Sequence, residues 1–179
     1  LSEILKSGWK RYLQPVFIAI PLLFFVPMYN LSFPNKSPEY IIKHPEGYKK
    51  LGMLRWEDGK DHNLPQDYAD MLGWKELASK TDSAYATIAN PEKTLILCDN
   101  YGQAGAINYY TKKGIKAVSF NADYINWFKL DIQYTNLIRV KEYHEKDNEL
   151  AETSPYFNTS KIAGSITNKN AREYKTTIF

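Results

Sequence analysis

Cysteine occurs once, at Cys98, so no internal disulfide can form and the thiols say nothing of the redox compartment. Histidine occurs three times, at His44, His62 and His144, too far apart for a metal-ligand pair of recognised spacing. No dinucleotide fingerprint is present: Gly102-Gln-Ala-Gly105 lacks the G-x-G-x-x-G spacing. No serine sits in a G-x-S-x-G elbow. Charge of one sign is also scarce. The 23 basic and 20 acidic residues leave a net charge of +3, and the lysines and arginines are spread along the chain. A dedicated nucleic-acid binder needs a concentrated basic face, so that class is set aside. There is no internal repeat and no low-complexity tract. With 44% apolar and 24% charged residues the composition is that of a folded protein, and 179 residues leave room for one ordinary domain plus an appendage.

One segment lacks charge altogether. Between Arg11 and Lys36 no charged residue occurs, and Leu13–Phe33 reads LQPVFIAIPLLFFVPMYNLSF. Its uninterrupted apolar core, Pro15–Met28, is short, but with Leu13, Tyr29, Leu31 and Phe33 it reaches the roughly 20 residues that a ~30 Å hydrocarbon layer requires. Pro21 and Pro27 would break a soluble helix; a transmembrane helix tolerates them where neighbouring helices serve the freed carbonyls. Trp9, Tyr12 and Tyr29 suit interfacial belts. Lys6, Lys10 and Arg11 precede the span, so by the positive-inside rule the N-terminal side is cytoplasmic and the remainder lies outside, or in the periplasm of a two-membrane bacterium. Two other readings compete: a signal or anchor peptide, which would want a small-x-small cleavage site that is not seen after Met28, and a buried soluble helix.

The expected organisation is a transmembrane helix with a cytoplasmic flank over residues 1–33, a Pro-, Lys- and Gly-rich linker over 34–63 with a short helix near Glu39–Lys43, and an extramembrane α/β domain over 64–179. The chain starts at Leu1 rather than Met, and its end, Lys175–Phe179, reads as a strand with no cap or polar tail. The expectation is therefore a fragment of a longer protein, cut at the C-terminus. Within the domain, the spacing of Tyr68, Met71, Leu72, Leu77 and Ala78 predicts a helix over Asp67–Tyr85, in which Gly73 costs about 1 kcal/mol and so wants a packing reason. Thr94–Cys98 is a short apolar run expected of a strand buried on both faces. A helix over Gln103–Lys113 follows, with Ala104, Ile107 and Tyr110 on one stripe, Lys112 and Lys113 in its last turn and Gly114 at its end. Then come a strand over Ala117–Phe120, a turn or helix over Asp123–Phe128, and a strand over Asn136–Val140. Lys161–Ile166 and Thr176–Phe179 would add two more. The predicted fold class is α/β: an N-terminal transmembrane helix, then a small, mostly parallel layered domain with an antiparallel edge.

Ligands of open α/β sheets bind beyond the carboxyl ends of the strands. Those ends carry Asp99, Asn100, Tyr101 and Gln103 after one strand and Asn121 and Asn126 after the next. Asn100, Gln103, Asn121 and Asn126 could read sugar hydroxyls, Asp99 could accept from the same ligand, and Tyr101 or Trp127 could offer an apolar face. The competing reading makes Asp99 and Asn100 helix-capping residues and Asn121 a turn former. No catalytic set and no metal ligands emerge, and Cys98 reads as a small core residue.

Two segments, Leu64-Pro-Gln-Asp-Tyr-Ala-Asp-Met-Leu-Gly-Trp-Lys-Glu-Leu77 and Cys98-Asp-Asn-Tyr-Gly-Gln-Ala-Gly-Ala-Ile-Asn-Tyr-Tyr110, together resemble the C-terminal extramembrane domain of bacterial family 39 glycosyltransferases. These are multi-span membrane proteins related to dolichyl-phosphate-mannose protein mannosyltransferases and to aminoarabinose transferase. Lys161-Ile-Ala-Gly-Ser-Ile-Thr-Asn168, Ala171-Arg-Glu-Tyr174 and the passage into Ser37-Pro-Glu39 are similar too. The chain departs from the family at Phe120-Asn-Ala-Asp-Tyr-Ile-Asn-Trp127, where members often carry a histidine-bearing loop. The resemblance implies a transferase that moves a sugar from a polyprenyl-phosphate donor to a glycan or lipid acceptor at the outer face of the bacterial inner membrane. The present chain would be its last membrane helix plus an accessory domain. Its partners would be membrane lipid and the upstream helices, with no nucleic acid. The catalytic acid and any divalent metal would lie upstream, leaving no cofactor for this part. The alternative is a single-span anchored binding or sensor domain with a sugar-type pocket at the strand ends.

Overall fold

A computed structural model describes residues 8–130, 132–144 and 148–179. Lys6, used in the orientation argument, lies outside the described residues, as do the side chains of Lys10 and Arg11. The chain divides into two compact units, the first ending at Tyr68 and the second starting at Ala69.

The first unit holds α1 (Leu13–Ser32), α2 (Pro38–Lys43), α3 (Glu46–Lys50) and most of α4 (Gln66–Ala69). The 20 residues of α1 form the one described helix long and apolar enough to cross a membrane, and none of them is buried. Pro21 and Pro27 lie inside it. Each removes the N–H that would serve the carbonyl four residues earlier, at Phe17 and Leu23. The end of α1 is held differently: the Tyr68 hydroxyl lies 2.8 Å from Leu31 O and 2.6 Å from Phe33 O. Burial, with the neighbouring Tyr48, pushes the Tyr68 phenol up to about 12, so it stays a donor to these carbonyls. Residues 34–63, expected to be a linker with a short helix near Glu39–Lys43, carry that helix as α2, then α3 and a turn closed by an isolated antiparallel β-bridge between the backbones of Arg55 and Asp61. Ser37 caps α2 by accepting from Tyr40 N–H at 3.2 Å. Ile41, Tyr48, Leu54, Leu64 and Tyr68 are buried together in this unit, which explains why the segment is ordered despite its polar composition.

The second unit is an α/β layer: α5 (Trp74–Tyr85), β1 (Thr94–Cys98), α6 (Tyr101–Tyr110), β2 (Ala117–Ser119), β3 (Asn136–Lys141), α7 (Glu149–Thr153), β4 (Gly164–Ser165) and β5 (Thr177–Ile178). The sheet order is β2-β1-β3-β5-β4. β1 runs parallel to β2 and β3, while β5 is antiparallel to β3 and to β4. The predicted class, with its antiparallel edge, is the observed one. Ile96, Cys98, Ile138 and Val140 pack with Leu77, Ala104 and Ile107 of α5 and α6. Leu95, Leu97 and Leu137, which alternate with them, are only half-buried. The expectation of a strand covered on both faces is thus corrected: both long helices serve one face, so the strand alternates.

The expected helix over Asp67–Tyr85 is also two helices. Gly73 breaks it, with φ of +88° in the left-handed region, and precedes α5. A Cβ there would come within 3.1 Å of Ala171 Cβ and 3.2 Å of Ile166 Cγ2, so the missing side chain serves close packing against the segment joining β4 to β5. The next helix starts at Tyr101 and stops at Tyr110, because Asp82 of α5 takes the Thr111 hydroxyl at 2.5 Å and Lys112 N–H at 2.7 Å. Lys112 and Lys113 therefore follow the helix instead of closing it. β2 ends at Ser119, whose hydroxyl accepts from Asn121 N–H and donates to Asp99 O, leaving Phe120 outside. Glu76 of α5 binds the segment after β4: it accepts from the Thr167 N–H and hydroxyl at 2.9 and 2.7 Å and from Lys80 Nζ at 2.6 Å, and Lys80 also donates to Ser165 O. Burial alone would raise the Glu76 carboxyl; the Lys80 and Thr167 hydrogen bonds outweigh it and bring it down to about 2.

Two predictions follow from these contacts. Gly73→Ala destabilises the chain by about 1–3 kcal/mol, through strain and crowding, whereas Gly105→Ala, inside α6 with nothing within 4 Å of the added Cβ, stabilises it by roughly 0.4–1 kcal/mol. Denaturant unfolding in detergent reads both, and the signs are opposite. The lowered Glu76 carboxyl adds stability that is complete above about pH 4.5 and lost as pH falls towards 2. Glu76→Gln costs about 1–3 kcal/mol at neutral pH and flattens the unfolding midpoint across that acid window.

Candidate functional site

The polar cluster at the carboxyl ends of β1 and β3 is built from one turn. Asn100 precedes α6 in extended conformation, and its Oδ1 accepts from Gln103 N–H at 2.8 Å; Gln103 Oε1 reaches back to Asp99 N–H at 3.1 Å and Asn100 N–H at 3.5 Å. This reciprocal cap answers orphan donors at the helix start. Gly102 lets it close, since a Cβ there would lie 3.1 Å from Asn100 Oδ1.

The other halves of the two amides point at carboxylates. Asn100 Nδ2 donates to Glu142 Oε1 at 2.7 Å and Glu173 Oε1 at 3.3 Å. Gln103, fully buried, donates from Nε2 to Glu173 Oε2 at 2.9 Å, and Thr176 adds a hydroxyl at 2.7 Å. Asp99 is held from the opposite side. Its Oδ1 pairs with Arg139 at 2.5 Å and Lys141 at 3.1 Å, and its Oδ2 accepts from Glu142 N–H at 2.8 Å. Glu149 of α7 approaches the same two cations at 3.6 and 3.9 Å. Burial raises its carboxyl, opposed by Arg139 and Lys141. Burial also pushes the neighbouring Cys98 thiol up, which keeps it unreactive.

The structure thus joins Asp99, Asn100 and Gln103, but as a capped and ion-paired joint whose hydrogen-bonding atoms are engaged within the protein. Tyr101 points away, 58% exposed. Asn121 and Asn126 lie exposed on the 3-10 turn Ala122–Trp127 and its approach, beside Trp127, which is 72% exposed. The six residues do not form one pocket. Arg139, Lys141, Glu142, Glu149 and Glu173 complete the cluster and were not singled out from the sequence. A signal was there for the cations: Arg139 and Lys141 alternate in an otherwise apolar strand, and cations so placed on a sheet need carboxylates.

A cleft of about 360 Å³ opens instead near the amino ends of β1 and β2, where Thr94, Ile115, Lys116, Phe128, Lys129 and Tyr134 contribute to its walls. Thr94 Oγ1 is buried and has no hydrogen-bond partner among the described residues. No group of three His, Cys, Asp or Glu side chains among the described residues is placed to hold a metal ion. No protein-family profile, curated protein or solved structure matches this chain.

Asn and Asp cap helices about equally well, as do Gln and Glu at the third position. Here the amides cannot be exchanged for acids. Asn100→Asp and Gln103→Glu each place a carboxylate against Glu173 and destabilise the chain by about 2–4 kcal/mol, a loss that shrinks as acid protonates the pair. Unfolding midpoints at neutral and acid pH check this; an unchanged midpoint at neutral pH would refute the joint.

Proposed function

We propose that this chain is the last membrane helix and accessory domain of a membrane glycosyltransferase resembling family 39. That enzyme would transfer a sugar from a polyprenyl-phosphate donor to a glycan or lipid acceptor at the outer face of the bacterial inner membrane. The observation that carries the reading is α1: a 20-residue, largely apolar helix with no buried residue, and with two internal prolines whose freed carbonyls at Phe17 and Leu23 neighbouring helices would serve. An isolated single span would leave those carbonyls facing hydrocarbon. The self-contained joint around Asp99, Asn100 and Gln103 supports an accessory rather than a catalytic role for the domain. The motif resemblance at Leu64–Leu77 and Cys98–Tyr110 supplies the enzyme class. The second unit faces the periplasm in this reading, because Lys6, Lys10 and Arg11 precede the span. Any divalent metal belongs, in this reading, to the upstream part that the resemblance implies.

A second reading, an anchored sugar-binding or sensor domain, draws on the exposed group Asn121, Asn126 and Trp127. It requires saturable binding of a sugar or polyprenyl phosphate by this chain alone.

The decisive test is the full-length protein. It should carry further apolar spans upstream, transfer sugar from a polyprenyl-phosphate donor in detergent, and lose that turnover when the residues after 60 are removed, while a phosphatase reporter fused after residue 60 is active. Absence of upstream spans, a cytosolic reporter, or turnover by the present chain alone would overturn the proposal. Calorimetric heat with a free sugar would favour the second reading.

A further inference from the structure

The segment after β2 exposes apolar side chains that no packing in the second unit accounts for. Phe120, Ile125, Trp127, Leu130 and Ile132 are 49%, 48%, 72%, 50% and 51% exposed within 13 residues. Their presentation is built in. The 3-10 turn Ala122–Trp127 opens on Ala122 with φ of +52°, a left-handed conformation that alanine rarely adopts, and Tyr124 anchors the turn by its hydroxyl, 3.0 Å from Asn108 Nδ2. Phe120 and Phe128 pack as a pair, ring centroids 5.8 Å apart. Lysines flank the apolar group. Lys116 and Lys129 line one cleft with Phe128 and Ile132, and Lys112 and Lys113 are exposed nearby in sequence. Between residues 112 and 132 four lysines stand against two aspartates, and Glu92 shares the cleft.

We infer that this face of the second unit docks on an anionic lipid surface, with Ile125, Trp127 and Leu130 entering the headgroup–acyl boundary and Lys116 and Lys129 meeting lipid phosphates. A segment that exposes a tryptophan and aliphatic side chains and carries lysines has the chemistry of the interfacial layer, where rings and aliphatic side chains leave water while ammonium groups stay hydrated. Charge acts in the same direction: four lysines against Asp123, Asp131 and Glu92 leave one positive charge in excess for acidic headgroups. Tethering acts in the same direction, because a chain held in a bilayer by α1 keeps the patch at high effective concentration near lipid. The inference rests on α1 spanning the bilayer and not on the transferase reading.

The test uses the full chain in nanodiscs of mixed phosphatidylcholine and phosphatidylglycerol, with single spin labels at Ile125→Cys or Leu130→Cys in a Cys98→Ala background. Where that background fails to fold, Cys98 is retained, since its burial keeps it unlabelled. Phe24→Cys reports the span, and the exposed Ser160→Cys reports solvent. Labels at 125 and 130 should show lipid-type accessibility, high to oxygen and low to a nickel chelate, while the label at 160 stays water-type. Reversing Lys116 and Lys129 to Glu, or replacing the lipid by phosphatidylcholine alone, should shift the docked-to-undocked ratio roughly tenfold or more towards undocked. Water-type labels at 125 and 130 with a lipid-type label at 24 would overturn the docking and leave the span standing. A water-type label at 24 would remove the premise and with it the inference. Labels shielded from both reagents would show a protein partner, such as a second copy, and overturn the lipid assignment. Indifference to lysine reversal would overturn the role given to charge.

Discussion

The second unit depends on the neutralisation of carboxylates gathered where β1 and β3 end. Asp99, Glu142, Glu149 and Glu173 converge there from four separate places in the chain, and only Arg139 and Lys141 bring positive charge among the contacts just described. Arg139 and Lys141 lie between Asp99 and Glu149, and Glu142 and Glu173 meet neutral amide donors. Asn100 and Gln103 supply them. Each amide has two functions at opposite ends of one group: its oxygen closes the cap of α6, and its nitrogen binds an acid brought in by β3 or by the segment before β5. A carboxylate could perform the first function and not the second. The start of a helix, the end of a parallel strand pair and the antiparallel edge are therefore fixed by the same few atoms.

This economy explains which parts of the architecture were legible in the sequence. β1 was read to the residue and β3 to within one, because Thr94–Cys98 and Asn136–Lys141 are short branched-apolar runs between breakers. The Asn100 cap was visible as an Asx residue before an apolar-periodic stretch, whereas Asp99, read beside it as a cap, instead meets Arg139, Lys141 and Glu142 N–H. The break at Gly73 was missed because the apolar spacing continues across it; only the close approach of Ala171 and Ile166, about 95 residues distant in sequence, shows why the chain turns there. The short helix expected near Glu39–Lys43 is α2, but α3 and the burial in residues 34–63 were missed for a related reason. A few buried side chains, such as Ile41, Tyr48 and Leu54, suffice for a small unit and leave a polar average. Glu142, Glu149 and Glu173 were unreadable as site residues, since acids on a surface and acids in a buried network look alike until their partners are placed.

The filled strand ends also shift where interaction can occur. In open α/β sheets the carboxyl ends are the usual ligand side because helix N-termini and loops converge there with unpaired donors. Here Asn100 takes the Gln103 N–H at the start of α6, Gln103 takes the Asp99 and Asn100 N–H groups before it, and the neighbouring acids meet the protein's own amides and cations. What stays open lies elsewhere: the half-buried Leu95, Leu97 and Leu137 on the sheet face away from α5 and α6, the cleft with the unpaired Thr94 hydroxyl, and the apolar turn after β2.

The same logic connects the two units without reference to their arrangement. α1, a 20-residue and largely apolar helix, has no buried residue in the first, and the segment after β2 exposes five large apolar side chains in the second. In water both would be costly; at about 25 cal/mol per Å² the exposed side chains of the turn alone represent several kcal/mol of unrealised burial. In the proposed reading a bilayer would meet α1 by its thickness and the turn by its interface, so that one surrounding would serve the uncovered apolar surface described in both units.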